Sequence, residues 1–101
     1  MTKVRGKVTI ENTPEIEKID LLVCKRPIDK DYQEIETEEV YISKSTVFSS
    51  NPTEEEANFL LKKKALEIGA DAIIDVYYES GKNMSSWGFL TANGIAIKYI
   101  D

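Results

Sequence analysis

Residues 53–79, TEEEANFLLKKKALEIGADAIIDVYYE, change hydrophobic period once, sharply, and the rest of the chain is read outward from that point. Thr53 followed three residues later by Glu56 is a capping box, in which a hydroxyl and a carboxylate satisfy each other's backbone donors at a helix start. Glu54 and Glu55 place negative charge at the positive end of the helix dipole, and Lys62, Lys63 and Lys64 lie nearer its negative end. Gly69 supplies the left-handed stop. The pattern predicts a helix over residues 54–68. On a wheel of 100° per residue, Ala57, Leu61, Ala65 and Ile68 form one stripe with Leu60 on its flank. Lys64 falls inside that stripe, which implies a marginal position with the ammonium extended to water. Phe59 and Leu66 fall nearly opposite and call for a second cover, either the N-terminal strands or another subunit.

Period-two alternation marks the strands. Val4, Gly6, Val8 and Ile10 alternate with Lys3, Arg5, Lys7, Thr9 and Glu11, until Asn12-Thr13-Pro14 breaks the run. Residues 19–24, IDLLVC, read as a short strand followed by a loop at 26–31. In the stretch 32–48, Ile35, Thr37, Glu39 and Tyr41 alternate with Glu34, Glu36, Glu38, Val40 and Ile42, and the β-branched and aromatic residues favour a strand over about 33–43. The acidic run is expected on its solvent side. Residues 49–52, SSNP, lead into the helix.

After Gly69, residues 70–79 read as a strand, with Ala72, Ile74, Val76 and Tyr78 on one face and Asp71, Ile73, Asp75 and Tyr77 on the other. Residues 80–86 carry Gly81 and Asn83 and suit a hairpin loop. Residues 87–100 form the last strand, with Leu90, Ala92, Gly94 and Ala96 on a small-residue face and Phe89, Ile95, Ile97 and Tyr99 on a bulky one. The small face lets a helix approach closely. One helix cannot readily cover both faces of such a sheet, and an apolar patch of that extent marks an interface. The patterning thus predicts one α+β domain over residues 1–101: a small antiparallel sheet of about four to five strands packed on one main helix, and assembly as a homo-oligomer.

Composition narrows the chemistry. A chain of 101 residues with 42% apolar and 31% charged residues suits a single soluble domain. The net charge of −5 disfavours nucleic acid and anionic membrane as partners. There is no histidine, which removes the commonest general base and zinc ligand, and the single cysteine, Cys24, excludes an intrachain disulfide. No apolar run reaches the ~18 residues a membrane span needs, and the N-terminus lacks an apolar signal core, so a cytoplasmic protein is expected.

The stretch LKKKALEIGADAIIDV at 61–76, the return strand NGIAI at 93–97 and, faintly, YQEI at 32–35 resemble the YbjQ-like family, which carries a heavy-metal-binding label. The helix-to-strand stretch is also similar to RcsF-type envelope-stress lipoproteins. The resemblance covers about residues 32–100 and leaves the N-terminal 30 residues divergent. It implies an α+β fold with a small antiparallel sheet on the helix, and ring-like homo-oligomers, often pentamers. The metal label finds no support in a chain without histidine or Met/Cys clusters.

No catalytic or metal constellation emerges, and no cofactor is implied. Asp71 and Asp75, four residues apart on a strand, stand roughly 13 Å from each other, too far to share a metal or a proton. Glu54, Glu55 and Glu56 are helix-start charges and lack the spacing of a calcium loop. Cys24, within an apolar strand, is expected as a buried, inert thiol. Met84, Trp87 and Phe89, with Tyr77 and Tyr78, crowd the last hairpin. Together with Phe59 and Leu66, the residues Tyr77, Met84, Trp87 and Phe89 are the expected subunit contact or ligand-facing rim. The function expected is a non-enzymatic, homo-oligomeric module that binds a small ligand or a partner protein. The alternative is a monomeric sensor or accessory protein whose N-terminal strands cover the sheet.

Overall fold

The computed structural model describes residues 2–44, 52–83 and 86–100, with side chains in the last hairpin described up to residue 81 and from residue 88. In chain order the elements are β1 (Thr2–Arg5), α1 (Pro14–Glu17), β2 (Asp20–Val23), β3 (Asp31–Ser43), α2 (Glu54–Glu67), β4 (Ala72–Asn83) and β5 (Ser86–Ile100). The five strands form one sheet in the order β1-β3-β5-β4-β2. Antiparallel ladders join β3 to β5 and β5 to β4, while β1 lies parallel to β3 and β2 parallel to β4. The expected antiparallel sheet is therefore the centre of a mixed one. The parallel edges arise because β1 and β2 reach their partners by long crossovers, and only hairpins force antiparallel pairing. No helix among the described residues is long and apolar enough to cross a membrane.

Helix α2 forms where its capping signals place it. The Thr53 hydroxyl accepts from the Glu56 backbone N–H at 3.2 Å, and Glu56 Oε1 accepts from the Thr53 N–H at 3.2 Å. Gly69 ends the helix at φ 77°. Ala57, Leu61 and Ala65 are fully buried against the sheet, with Leu60 and Ile68 packed at their side. The small residues Ala92 and Ala96 of β5 lie beneath them, as their spacing predicts.

Two stretches depart from simple alternation. The N-terminal strand ends at Arg5, where Gly6 turns the chain at φ 99°, and residues 14–17 form the short helix α1 instead of a break. Thr13 caps α1 by accepting from Ile16 N–H at 3.3 Å, and Pro14 suits its first turn. The second departure is in β4. Asp75 stands in the left-handed region at φ 51°, and the register shifts between Ile74 and Tyr77. This bulge reverses the phase: Ile73, Val76 and Tyr78 face the helix-side core, while Ala72 and Ile74 face the other side. The expected continuous face Ala72, Ile74, Val76, Tyr78 is corrected accordingly. The last loop is also shorter than expected, since β4 runs to Asn83 and β5 starts at Ser86.

The sheet is apolar on both faces. On the side away from α2, Ala72, Ile74 and Ile97 are fully buried beneath Leu22, Tyr32, Ile95 and Tyr99. The chain supplies part of that cover through its own aromatic side chains, with Lys30 Nζ resting 4.5 Å above the Tyr99 ring.

Candidate functional site

The acidic run of β3 decides where the site is. Glu34 and Glu36 are exposed, as the sequence implies, but Glu38 is not: only 4% of its surface is accessible. Glu38 lies two and four residues before the buried Val40 and Ile42, in the same phase, and pairs in register with Gly94 of β5. Its side chain is therefore carried onto the α2 face of the sheet. Both of its carboxylate oxygens are buried without a hydrogen-bond partner. Burial raises the Glu38 carboxyl from its ordinary 4.5 to about 7, the neighbouring Glu36 adds to the rise, Lys64 opposes it, and Glu67 adds a smaller push upward. Unpaired buried carboxylates are costly, and natural chains retain few of them.

The carboxylate lines a recess of about 220 Å³ bordered by Thr2, Glu36, Thr37, Glu39, Val40 and Lys64. Three elements build it. β1 supplies Thr2, which pairs in register with Val40; β3 supplies the acids; α2 supplies Lys64. Lys64 is exposed, as its place in the apolar stripe implied, and its ammonium forms no ion pair with Glu38. Among the described residues, no group of three or more His, Cys, Asp or Glu is placed to hold a metal ion. The residues lining the recess include no Ser, Cys or His.

The fold is similar to that of a DUF74 protein. That crystal structure, of a protein of unknown function from Pediococcus pentosaceus ATCC 25745, matches with a TM-score of 0.57 and 19% identity over 81% of this chain and 98% of the other. DUF74 is the YbjQ-like family. No family model matches this chain, and no curated protein does. At this identity the likeness concerns the fold alone.

Of the residues expected to form a rim, those described lie on different elements and faces. Phe59 is buried, 8% exposed, in one cluster with Val8, Ile16 and Ile19 of the chain's own N-terminal segment. That segment is held down by the second oxygen of the capping glutamate, since Val8 N–H donates to Glu56 Oε2 at 2.8 Å. Of the two covers considered for Phe59, the intrachain one is present. Leu66 remains 40% exposed and Tyr77 50% exposed. Phe89 stacks on Tyr41 at 5.6 Å, next to Gly81, on the face away from α2. Met84 lies outside the described residues, as does the side chain of Trp87.

Cys24 is exposed, which corrects the expectation of a buried thiol. It follows β2 directly, in the left-handed region at φ 55°, which breaks the strand's alternation there, and its thiol donates to Val76 O at 3.7 Å. Cys24 N–H donates to Val76 O at 3.0 Å, and Asp75 N–H to Lys25 O at 2.9 Å. Arg26 Nε closes the junction on Asp75 Oδ2 at 2.6 Å. Asp71 has a structural use, accepting from Tyr99 N–H at 2.9 Å.

Glu38 escaped the sequence reading because its neighbours Glu34, Glu36 and Glu39 made the whole run look solvated. The signal was its phase with Val40 and Ile42, matched on α2 by the phase of Lys64 with Leu61 and Ala65. An acid and a base, each standing in an apolar stripe, meet at one recess.

Proposed function

We propose that this chain is a non-enzymatic binding module of the YbjQ-like family that assembles with copies of itself through its sheet edges. The observation that carries this reading is the pair of open strand segments. β1 pairs with residues 40–43 of β3, and β2 with the start of β4, so that, among the described residues, 31–39 of β3 and 77–83 of β4 each have one edge without a strand neighbour. Unpaired strand edges are ready templates for another chain.

The two segments sit at opposite ends of the sheet, since 31–39 pair with the far end of β5 and 77–83 with its start. Each exposes a large apolar side chain, Ile35 at 41% and Tyr77 at 50%. Pairing β3 with a second β3 would set Glu34, Glu36 and Glu39 against their own copies. Like charges directly opposed are destabilising. A β3-to-β4 contact avoids this and is head-to-tail, the kind of interface that closes into a ring when its rotation permits. The ring-like assemblies implied by the family resemblance agree with that geometry.

The monomeric alternative draws support from Phe59, whose cover comes from the same chain. Light scattering after size exclusion, with native mass spectrometry, separates the two. The expected result is a single species of several subunits that falls to a monomer in Ile35→Lys and in Tyr77→Lys. A wild-type monomer at micromolar concentration overturns the assembly reading.

A further inference from the structure

We propose that the recess at Glu38 is a binding subsite for a small organic cation carrying N–H donors, a primary ammonium group. The argument begins with the two carboxylate oxygens, buried and without a partner, on a side chain that is 4% exposed and lines a recess of about 220 Å³. A carboxylate offers about four lone-pair positions and accepts only, so what completes it must donate. Charge selects among donors. Glu36 and Glu39 line the recess with Glu38, and Glu67 of α2 lies within electrostatic reach, against one ammonium from Lys64. Such a wall repels anions and favours a cation over a neutral amide or hydroxyl.

A bare metal ion is the other cation to consider. It needs several converging ligands, and among the described residues no group of three or more acidic, thiol or imidazole side chains is placed to supply them. An ammonium ion needs no fixed coordination shell. It can use the Glu38 oxygens and the neighbouring acid or hydroxyl groups as they stand, with Thr2 and Thr37 as further acceptors at the border. Lys64 is the internal competitor. It lines the same recess and forms no ion pair with Glu38, so the carboxylate stays open to a second cation.

The inference stands on a different observation from the self-association reading, and the two can fail separately. The test uses full-length protein labelled with carboxyl-¹³C glutamate at pH 8, followed by nuclear magnetic resonance while n-butylammonium chloride is added at constant ionic strength. Tetramethylammonium chloride, equally charged but without N–H, is the matched control, and light scattering on the same sample gives the oligomeric mass.

The expected result is a saturable shift of the Glu38 carboxyl signal with millimolar affinity. Its titration midpoint should fall by about half a pH unit at saturation, as a bound opposite charge requires. Tetramethylammonium should give no saturable shift, and Glu38→Gln should abolish the butylammonium response of the Thr37 and Lys64 amides. A linear response, equal responses to the two cations, or an unchanged response in Glu38→Gln overturns the proposal. So does a silent wild type beside a responsive Lys64→Ala, which would show that Lys64 fills the recess itself. The comparison of the two cations on wild-type protein needs no variant to fold.

Discussion

Replacing Glu38 by glutamine should make the protein more stable at pH 8 and leave it little changed at pH 4. The native carboxyl lies at about 7, against an ordinary value of 4.5. A carboxyl raised in this way holds its proton more tightly when folded than when unfolded. Between pH 4.5 and about 7 the native state therefore binds more protons, and stability falls as pH rises through that window. Below it both states are protonated and the penalty is absent; above it both are ionised and the penalty is complete. A displacement from 4.5 to about 7 corresponds to about 3 kcal/mol. Water entering the recess screens part of this, so a value of about 2 kcal/mol is the working expectation.

Glutamine keeps the volume and removes the titration. Its amide also lacks a partner in the recess, but that cost does not vary with pH. Urea unfolding of both proteins from pH 4 to 8.5 gives the difference in stability at each pH, and the other carboxylates of this acidic chain cancel in the difference. The difference should favour the variant increasingly from pH 4.5 upward and level off above about pH 8. Parallel stability curves would refute the reasoning. So would a wild type that gains on the variant as pH rises, the behaviour of a carboxylate paired natively with Lys64.

Four further substitutions probe the frame around the site. A methyl group at Gly94 would lie 2.5 Å from Ile73 Cγ2 and 3.1 Å from Val76 Cγ2, the two core side chains that the bulge brings onto it, so Gly94→Ala should cost about 1–3 kcal/mol in urea unfolding. Gly69→Ala meets nothing within 4 Å but must hold φ +77°, and should cost about 1 kcal/mol for backbone reasons alone. Glu56→Ala removes one acceptor serving both the Thr53 cap and Val8, and should cost about 1–2 kcal/mol while speeding amide exchange at Val8, which a cap-only role would leave unmoved. Phe59→Ala should cost about 3 kcal/mol, because its ring is buried in the core cluster that also holds Val8, Ile16 and Ile19.

The helix and its strand were legible because their signals are local. Thr53, Glu56 and Gly69 are capping chemistry readable within a few residues, and the stripe of Ala57, Leu61 and Ala65 is a simple period. The α+β class and the small-residue face of β5 followed from the same patterns. What failed depended on partners distant in sequence. Nothing near Asp75 marks it as a bulge; its left-handed backbone is held by Lys25 and Arg26, which follow β2 about fifty residues earlier in the chain. Nothing near Phe59 says that Val8 will be tied to Glu56, forty-eight residues away. The parallel edges likewise depend on crossovers that no local period encodes.

Glu38 is the harder case, because its phase was visible and its composition argued against it. Alternation places a residue on a face, but the length of the neighbouring strand decides whether that face is covered. At Glu38 the cover changes. β1 flanks β3 from Val40 onward and ends with Thr2 at its near limit, while α2 still lies over the sheet at Lys64. The carboxylate is thus roofed by the helix and left open at the sheet edge, buried enough to lose its water and exposed enough for a small group to reach it. A leucine at this position would satisfy the period of Val40 and Ile42 and would carry no desolvation cost. The chain instead keeps an acid in the stripe of the strand and a base in the stripe of the helix, without joining them. Fold stability alone does not account for that arrangement; the proposed ligand, by donating to Glu38, would.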